Sequence, residues 1–379
     1  MRLTGRVVTP SGVIEDGYVD IDGGLIAEVG DAAHGEPQMG GDPHGEPQRG
    51  ERQWIVPGFV DMHNHGGGGH TFTTGDADSA RAAAAFHLRH GTTTVLASLV
   101  SAPFPLMRAA TAGYAPLVAE GVIAGVHYEG PYLSEPRCGA QNPAHLRDPS
   151  LAELAELIDL GAGVVRMVTL APERRGALDA IGLLVDRGVI AAVGHTDASY
   201  EQTMAAVAAG ATVGTHLFNG MPAPHHRTPG PVFALLGAAG VTCELIPDGV
   251  HLHDGTLAFA AFAAGPDRAA LITDAMAAAG MPDGAYELGG QEVVVADRVA
   301  RLARDGSIAG STLTMDAGLR RAVHAGLSIV AACRAAALVP ARALGLTDRG
   351  AVAPGHRADL VLLNPDLTVA RVMRDGRWA

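Results

Sequence analysis

Val56-Pro57-Gly58-Phe59-Val60-Asp61-Met62-His63-Asn64-His65 runs from an apolar stretch into two histidines two residues apart. On a strand, residues i and i+2 face the same side, so His63 and His65 point together and can grip one ion. By that alternation Asn64 faces a helix layer. Asp61 then shares the inward face one layer deeper, either orienting an imidazole or filling space. The same texture recurs at 92–98, 125–129, 164–170, 190–195, 212–218, 243–248 and 270–274. Between most of these strands lies room for one helix, as at 151–159 and 200–209. With 59–65 as the first, eight such units predict an α/β fold, a closed parallel (β/α)8 TIM barrel. An open doubly wound sheet more often carries a Gly-rich turn after its first strand, and no G-x-G-x-x-G stands there.

The carboxyl ends of these strands carry the chemistry. His63 and His65 end the first, Glu129 the third and His195 the fifth. His216 lies on the sixth, Asp248 ends the seventh and Asp274 the eighth. In a parallel barrel all of these ends open on one mouth. A lone buried histidine on a strand is most often a core residue with its hydrogen bonds made. Four at the same pole, with a Glu and an Asp, point to a divalent metal centre. Zn suits such ligands first, with Fe, Mn or Co as alternatives, one or two ions per subunit. His127, two residues before Glu129, reads as a deeper residue rather than a ligand. Hydrolysis near neutral pH needs an activated water and a carboxylate to carry its proton. Asp274 is the best-placed carrier. Asp248 is second, because Pro247-Asp248-Gly249 reads equally well as a turn.

Composition narrows the field. The net charge is −13 with no long basic run, which argues against nucleic acid. All 27 basic residues are Arg, and there is no lysine. Schiff-base chemistry, a P-loop lysine and a carbamylated-lysine bridge between two metals are therefore closed. The three cysteines, Cys138, Cys243 and Cys333, form no C-x-x-C pair, which suits a reduced, cytoplasmic protein. No signal-type apolar core follows Met1, and no run approaches the ~20 apolar residues of a membrane span.

Residues 3–9, 17–21 and 25–29 read as strands, with Asp22-Gly23-Gly24 as a hairpin turn. Strand-like pieces return at 359–363, 369–373 and 377–379. These ends predict a small β-sandwich domain, residues 1–55 with 348–379, around a catalytic barrel of 56–347. The segment 31–51 is Gly/Pro-rich and repeats His-Gly-Glu-Pro-Gln at 34–38 and 44–48, so it reads as a flexible insertion.

The first-strand motif and the tail Ala353-Pro354-Gly355-His356-Arg357-Ala358-Asp359-Leu360 resemble the amidohydrolase superfamily. Five further motifs resemble, within it, the N-acetylglucosamine-6-phosphate deacetylases. They are His127-Tyr128-Glu129-Gly130-Pro131, Gly194-His195-Thr196, Thr215 through Pro222, Asp248-Gly249-Val250-His251 and Thr273-Asp274-Ala275. The resemblance spans nearly the whole chain. It implies Glu129, His195 and His216 as core metal ligands, Asp274 as general base and acid, and a second ion at His63 and His65. It also implies a phosphorylated N-acetyl amino sugar as substrate, touched by Asn219, Gly220, Arg227, His251, Ile308, Ala309 and Gly310. Arg227 would reach the phosphate in the neighbouring subunit of a homodimer. Gln141 replaces a histidine common in that loop; it can hydrogen-bond sugar but carries no charge. Cyclic-amide hydrolases of the same barrel are closed by the missing lysine. An N-acetylgalactosamine-6-phosphate deacetylase and a non-catalytic sugar-phosphate binder are the remaining rivals.

Overall fold

The computed structural model describes residues 1–31, 53–161 and 163–379. The expected insertion at 31–51, with its repeat, lies outside the described residues apart from Asp31.

Eight staves stand where the sequence predicts them. They are β5 (Phe59–Asp61), then β8 (Thr92–Val95) continued as β9 (Ala97–Leu99), β10 (Val126–Glu129) and β11 (Val165–Leu170). β12 (Ile190–Val193), β13 (Val213–Gly214), β14 (Thr242–Leu245) and β15 (Ala269–Leu271) complete the set. Each pairs in parallel with the next. The ring closes where Asp274 N–H donates to His63 O at 2.9 Å and His65 N–H donates to Ala275 O at 2.7 Å. A short hairpin, β6 (Gly66–Gly67) with β7 (His70–Thr71), follows the first stave.

Helices α1 (Ala77–Arg89), α2 (Phe104–Ala119), α3 (Leu151–Gly161) and α4 (Ala177–Asp186) lie between successive staves. They are followed by α5 (Tyr200–Ala208), α6 (Gly230–Gly237), α7 (Asp254–Ala264) and α8 (Met315–His324). Their starts are written locally. Asp76 accepts the Ser79 N–H at 2.8 Å, and Ser199 with Gln202 forms a reciprocal capping box on α5. Each cap contributes about 1 kcal/mol.

One cluster contains Val60, Met62, Leu96, Met167, Ala192, Val213, Ile246, Ala270 and Ile272. Their neighbours along the staves, such as Phe59, Val168, Val193 and Leu271, belong to a separate cluster with the helices, which places these residues inside the barrel. Val339, Ala341 and Leu344 join it from the segment after α8. This corrects the expectation for Asp61. Val60 and Met62 face inward, so Asp61 faces away, and its carboxylate takes the Thr273 hydroxyl at 2.6 Å and the Asn64 amide at 2.9 Å. Strand alternation fails after Asp61 because the chain leaves the ladder there to turn both histidines to the mouth. Asn64 meets His87 of α1 at 3.0 Å, as its outward reading requires.

The ends of the chain form a seven-stranded sheet. It contains β1 (Arg2–Thr9), β2 (Gly12–Asp22), β3 (Leu25–Asp31) and β4 (Trp54–Pro57). β19 (Leu360–Leu363), β20 (Val369–Arg374) and β21 (Arg377–Trp378) complete it, in the order β21-β20-β19-β4-β1-β2-β3. The sheet curls over a core of Val7, Val19, Ile26, Ile55, Leu360 and Met373. Its far side is brought back by Ala358 N–H donating to Gly24 O at 2.8 Å. The two layers of the expected sandwich are thus one coiled sheet. A three-stranded flap that the sequence expectations do not include, β16 (Gly284–Leu288), β17 (Gln291–Ala296) and β18 (Val299–Leu302), follows the last stave. Among the described residues no helix is long and apolar enough to cross a membrane.

Candidate metal centre and its pocket

Two groups of ligand atoms meet at the barrel mouth: His63, His65 and Asp274 in one, Glu129, His195 and His216 in the other. Within each, the atoms lie within 4.8 Å of one another. Oε1 of Glu129 is 2.8 Å from His216 Nε2 and 3.0 Å from His195 Nε2. Oε2 of the same carboxylate is 3.4 Å from His65 Nε2, so Glu129 stands between the groups. Asp274 Oδ1 lies 3.1 Å from His65 Nε2 and 3.5 Å from His63 Nε2.

Two of the imidazoles are turned by backbone carbonyls at their other nitrogens. Nδ1–H of His65 donates to Ser98 O at 3.1 Å, and Nδ1–H of His195 donates to Arg137 O at 2.9 Å. A carbonyl only accepts, so each proton sits on Nδ1 and the Nε2 lone pair faces the centre. Yet the Nε2 atoms of His63 and His65 are 3.2 Å apart, and those of His195 and His216 are 3.1 Å apart. Two facing lone pairs repel unless a proton or a cation lies between them.

The charges favour a cation. Burial pushes His65 down, but Asp274 and Glu129 outweigh it and raise it to about 9. Burial likewise opposes protonation of His63, yet Glu129, Glu244 and Asp274 hold it well above its ordinary value. Burial would raise Asp274, but His63 and His65 bring it down to about 2. A field that holds protons on these imidazoles also holds a divalent ion, and four imidazoles with two carboxylates are the donor set of such a site.

Three of these residues sit in the left-handed region that side chains avoid: His195 at φ 46°, His216 at φ 25° and Asp274 at φ 49°. Each such residue costs of order 1–3 kcal/mol and persists only where its surroundings over-determine it. The restraints are visible. Ser134 N–H donates to His195 O at 2.9 Å, and Ser311 N–H donates to Asp274 O at 2.7 Å.

A cavity of about 270 Å³ opens over the centre. His65, Glu129, Gln141, His195, His216, Asn219, Gly220, His251, Asp274, Ile308 and Gly310 line it, together with Val100, Ser307 and Leu288 of the flap. Gly220 must be glycine, because at φ 62° a Cβ would lie 2.7 Å from His195 Nδ1. His63 is fully buried behind His65. Ala309 is also buried, its N–H given to Ala300 O, and it does not line the cavity. Arg227 is exposed and outside the cavity of its own chain, with Nη1 2.8 Å from His226 Nε2.

Gln141 is committed within the protein. Its Oε1 accepts the Ser101 N–H at 2.6 Å, and its Nε2 donates to Glu129 Oε2 at 2.6 Å. Asp248 is both a turn and a partner: it accepts the Val250 and His251 N–H groups and holds His251 Nδ1 at 2.7 Å. Of the two, only Asp274 lines the cavity. His127 spends both nitrogens, on Ser98 Oγ at 2.9 Å and Thr169 Oγ1 at 2.8 Å, which keeps it out of the ligand set. Glu244 was missed. It is a fully buried carboxylate, 3.1 Å from His63 Nδ1. The signal was available, since an acidic residue interrupts the apolar run of a strand buried on both faces.

The Amidohydrolase family model matches residues 54–379. An N-acetylglucosamine-6-phosphate deacetylase of Lysinibacillus sphaericus is 34% identical, over 98% of this chain and 95% of its own. An N-acetylgalactosamine-6-phosphate deacetylase of Escherichia coli O157:H7 is 37% identical, over 99% and 97%. A Mycobacterium smegmatis N-acetyl-D-glucosamine-6-phosphate deacetylase, solved as a mutant in complex with N-acetyl-D-glucosamine-6-phosphate, superposes with a TM-score of 0.93. It is 46% identical, and the match covers 100% of this chain and 98% of that one.

Proposed function

The chain belongs to the amidohydrolase family, and we propose on that premise that it hydrolyses N-acetylglucosamine 6-phosphate to glucosamine 6-phosphate and acetate. The observation that carries this reading is the cavity in which Asp274 and both histidine groups converge, with Leu288 of the flap in its wall. His63, His65, Glu129, His195 and His216 would hold one or two divalent ions, Zn before Fe, Mn or Co, Glu129 lying between the two ligand groups. Such an ion, when bound, supplies a Lewis acid for the amide carbonyl and acidifies water.

The protein's own groups do the rest. Asp274 accepts the proton of the attacking water at its carboxylate and then delivers it to the departing amine nitrogen. His251 faces the cavity with Nδ1 tied to Asp248. Burial pushes His251 down, but the Asp248 carboxylate outweighs it and raises it, so Nε2–H is available to the oxyanion that develops as water adds. Asn219, Gly220 and the backbone at Ile308 and Gly310 contact the sugar, and Gln141 lines the same cavity while bound to Glu129. Arg227 offers a planar fork of donors matched to phosphate. Its place outside its own cavity supports a homodimer in which it serves the neighbouring site. The terminal sheet, β1–β4 with β19–β21, forms one unit and the barrel the catalytic one, in a cytoplasmic enzyme.

The galactosamine epimer is the second reading, favoured by the 37% identity to a deacetylase of that name. The 46% identical structure with the glucosamine substrate favours the first. Acetate release is measured with the two sugar phosphates, with and without chelator. Faster turnover of the galactosamine compound reverses the assignment, and chelator-resistant turnover removes the metal.

A further inference from the structure

Glu244 lies outside the cavity, yet it touches both ligand groups. Oε2 is 3.1 Å from His63 Nδ1, in the first group, and accepts the backbone N–H of His216, in the second, at 3.2 Å. The main-chain oxygen of Glu244 also accepts the Leu217 N–H at 2.9 Å. The same residue therefore holds the turn that keeps His216 at φ 25°. Its side chain is fully buried, and Oε1 has no hydrogen-bond partner. An acidic group is expensive to bury, and leaving one oxygen unpartnered adds to the cost. The arrangement makes sense if the carboxylate's interaction with His63 offsets that cost.

We propose that Glu244 is a positioning residue for the metal centre: it fixes the proton of His63 on Nδ1, aims Nε2 at the His63–His65–Asp274 group, and ties that group to the backbone of His216. A carboxylate behind a ligating histidine fixes ring orientation and raises its basicity, and losing it costs 10–100-fold in metal affinity. The inference rests on the metal-dependent reading above.

The test is Glu244→Gln in the full chain, with Zn content measured by elemental analysis across a chelator series. Gln keeps the volume and the acceptor for both hydrogen bonds but is a weaker, neutral acceptor. The expected result is a roughly tenfold weaker retention of the ion at the His63 group, with thermal unfolding close to wild type. Glu244→Gln is then combined with His63→Ala. If Glu244 acts through His63, it causes no further loss of metal in that background, whereas a merely structural role adds to the loss. Wild-type retention in Glu244→Gln, or full additivity in the double variant, overturns the inference while leaving the proposed function intact. A wild-type chain that takes no metal removes both.

Discussion

Oδ1 of Asp274 lies 3.1 Å from Nε2 of His65, inside the cavity and at the closing seam of the barrel. The carboxylate is thus beside the expected metal and open to water, which is what a proton carrier needs. Asp274→Asn keeps an oxygen at this place and removes the proton acceptor. It is expected to retain metal and to lose roughly 10²–10⁴-fold in kcat. Turnover near wild type in an acetate-release assay sinks the role.

The two ligand groups predict two ions per chain at saturation. Replacing both His63 and His65 by Ala removes two of the three donors from one group and leaves Glu129, His195 and His216 whole. Elemental analysis is expected to fall from two equivalents to one. A fall to zero would mean that the groups load as a unit, and no change would mean that the first group holds nothing.

A separate prediction concerns stability in acid. Asp316, in the first turn of α8, is 3.2 Å from His90 Nδ1 and 2.9 Å from Arg320 Nη1. Burial would raise its pKa, but the hydrogen bond from His90 and the charge of Arg320 outweigh that and bring it down to about 2 from 3.8. A carboxylate depressed in the folded state stabilises fully above its unfolded pKa, and that contribution fades as pH falls toward the folded value. Asp316→Asn should therefore unfold more easily than wild type at pH 7, by about 2 kcal/mol. The gap should close between roughly pH 4 and pH 2. A gap that stays constant across that range in urea titrations contradicts the assignment.

Most of the barrel was legible because a parallel strand buried on both faces is a continuous apolar run, and a polar residue at its end is conspicuous. His63, Glu129, His195, His216 and Asp274 could all be found in this way. Asp61 could not, because strand alternation was extended past the last ladder residue into a bend. Glu244 was hidden within a run rather than at its end. The flap at 284–302 carried an ordinary turn signal, Gly289-Gly290 between β-branched and aromatic stretches, but no chemistry to draw the eye. Gln141 showed its type but not its commitment, since its two partners, Ser101 and Glu129, are 40 and 12 residues away.

Arg227 yields the prediction that reaches beyond one subunit. It is exposed, its guanidinium hydrogen-bonds His226, and it is absent from the cavity its own chain builds. If it binds the phosphate of substrate in the neighbouring site, Arg227→Ala should raise KM for the phosphorylated sugar by roughly 10–100-fold, the worth of one charge-assisted contact. Any residual action on the unphosphorylated sugar should change little. Complementation then separates a neighbour's site from its own. Mixing Arg227→Ala with Asp274→Asn subunits gives hybrids in which one site carries both defects and the other carries neither. Activity should therefore reappear in the mixture although each parent is impaired. If Arg227 instead served its own chain's site, every site in the hybrid would carry one defect, and mixing would restore nothing.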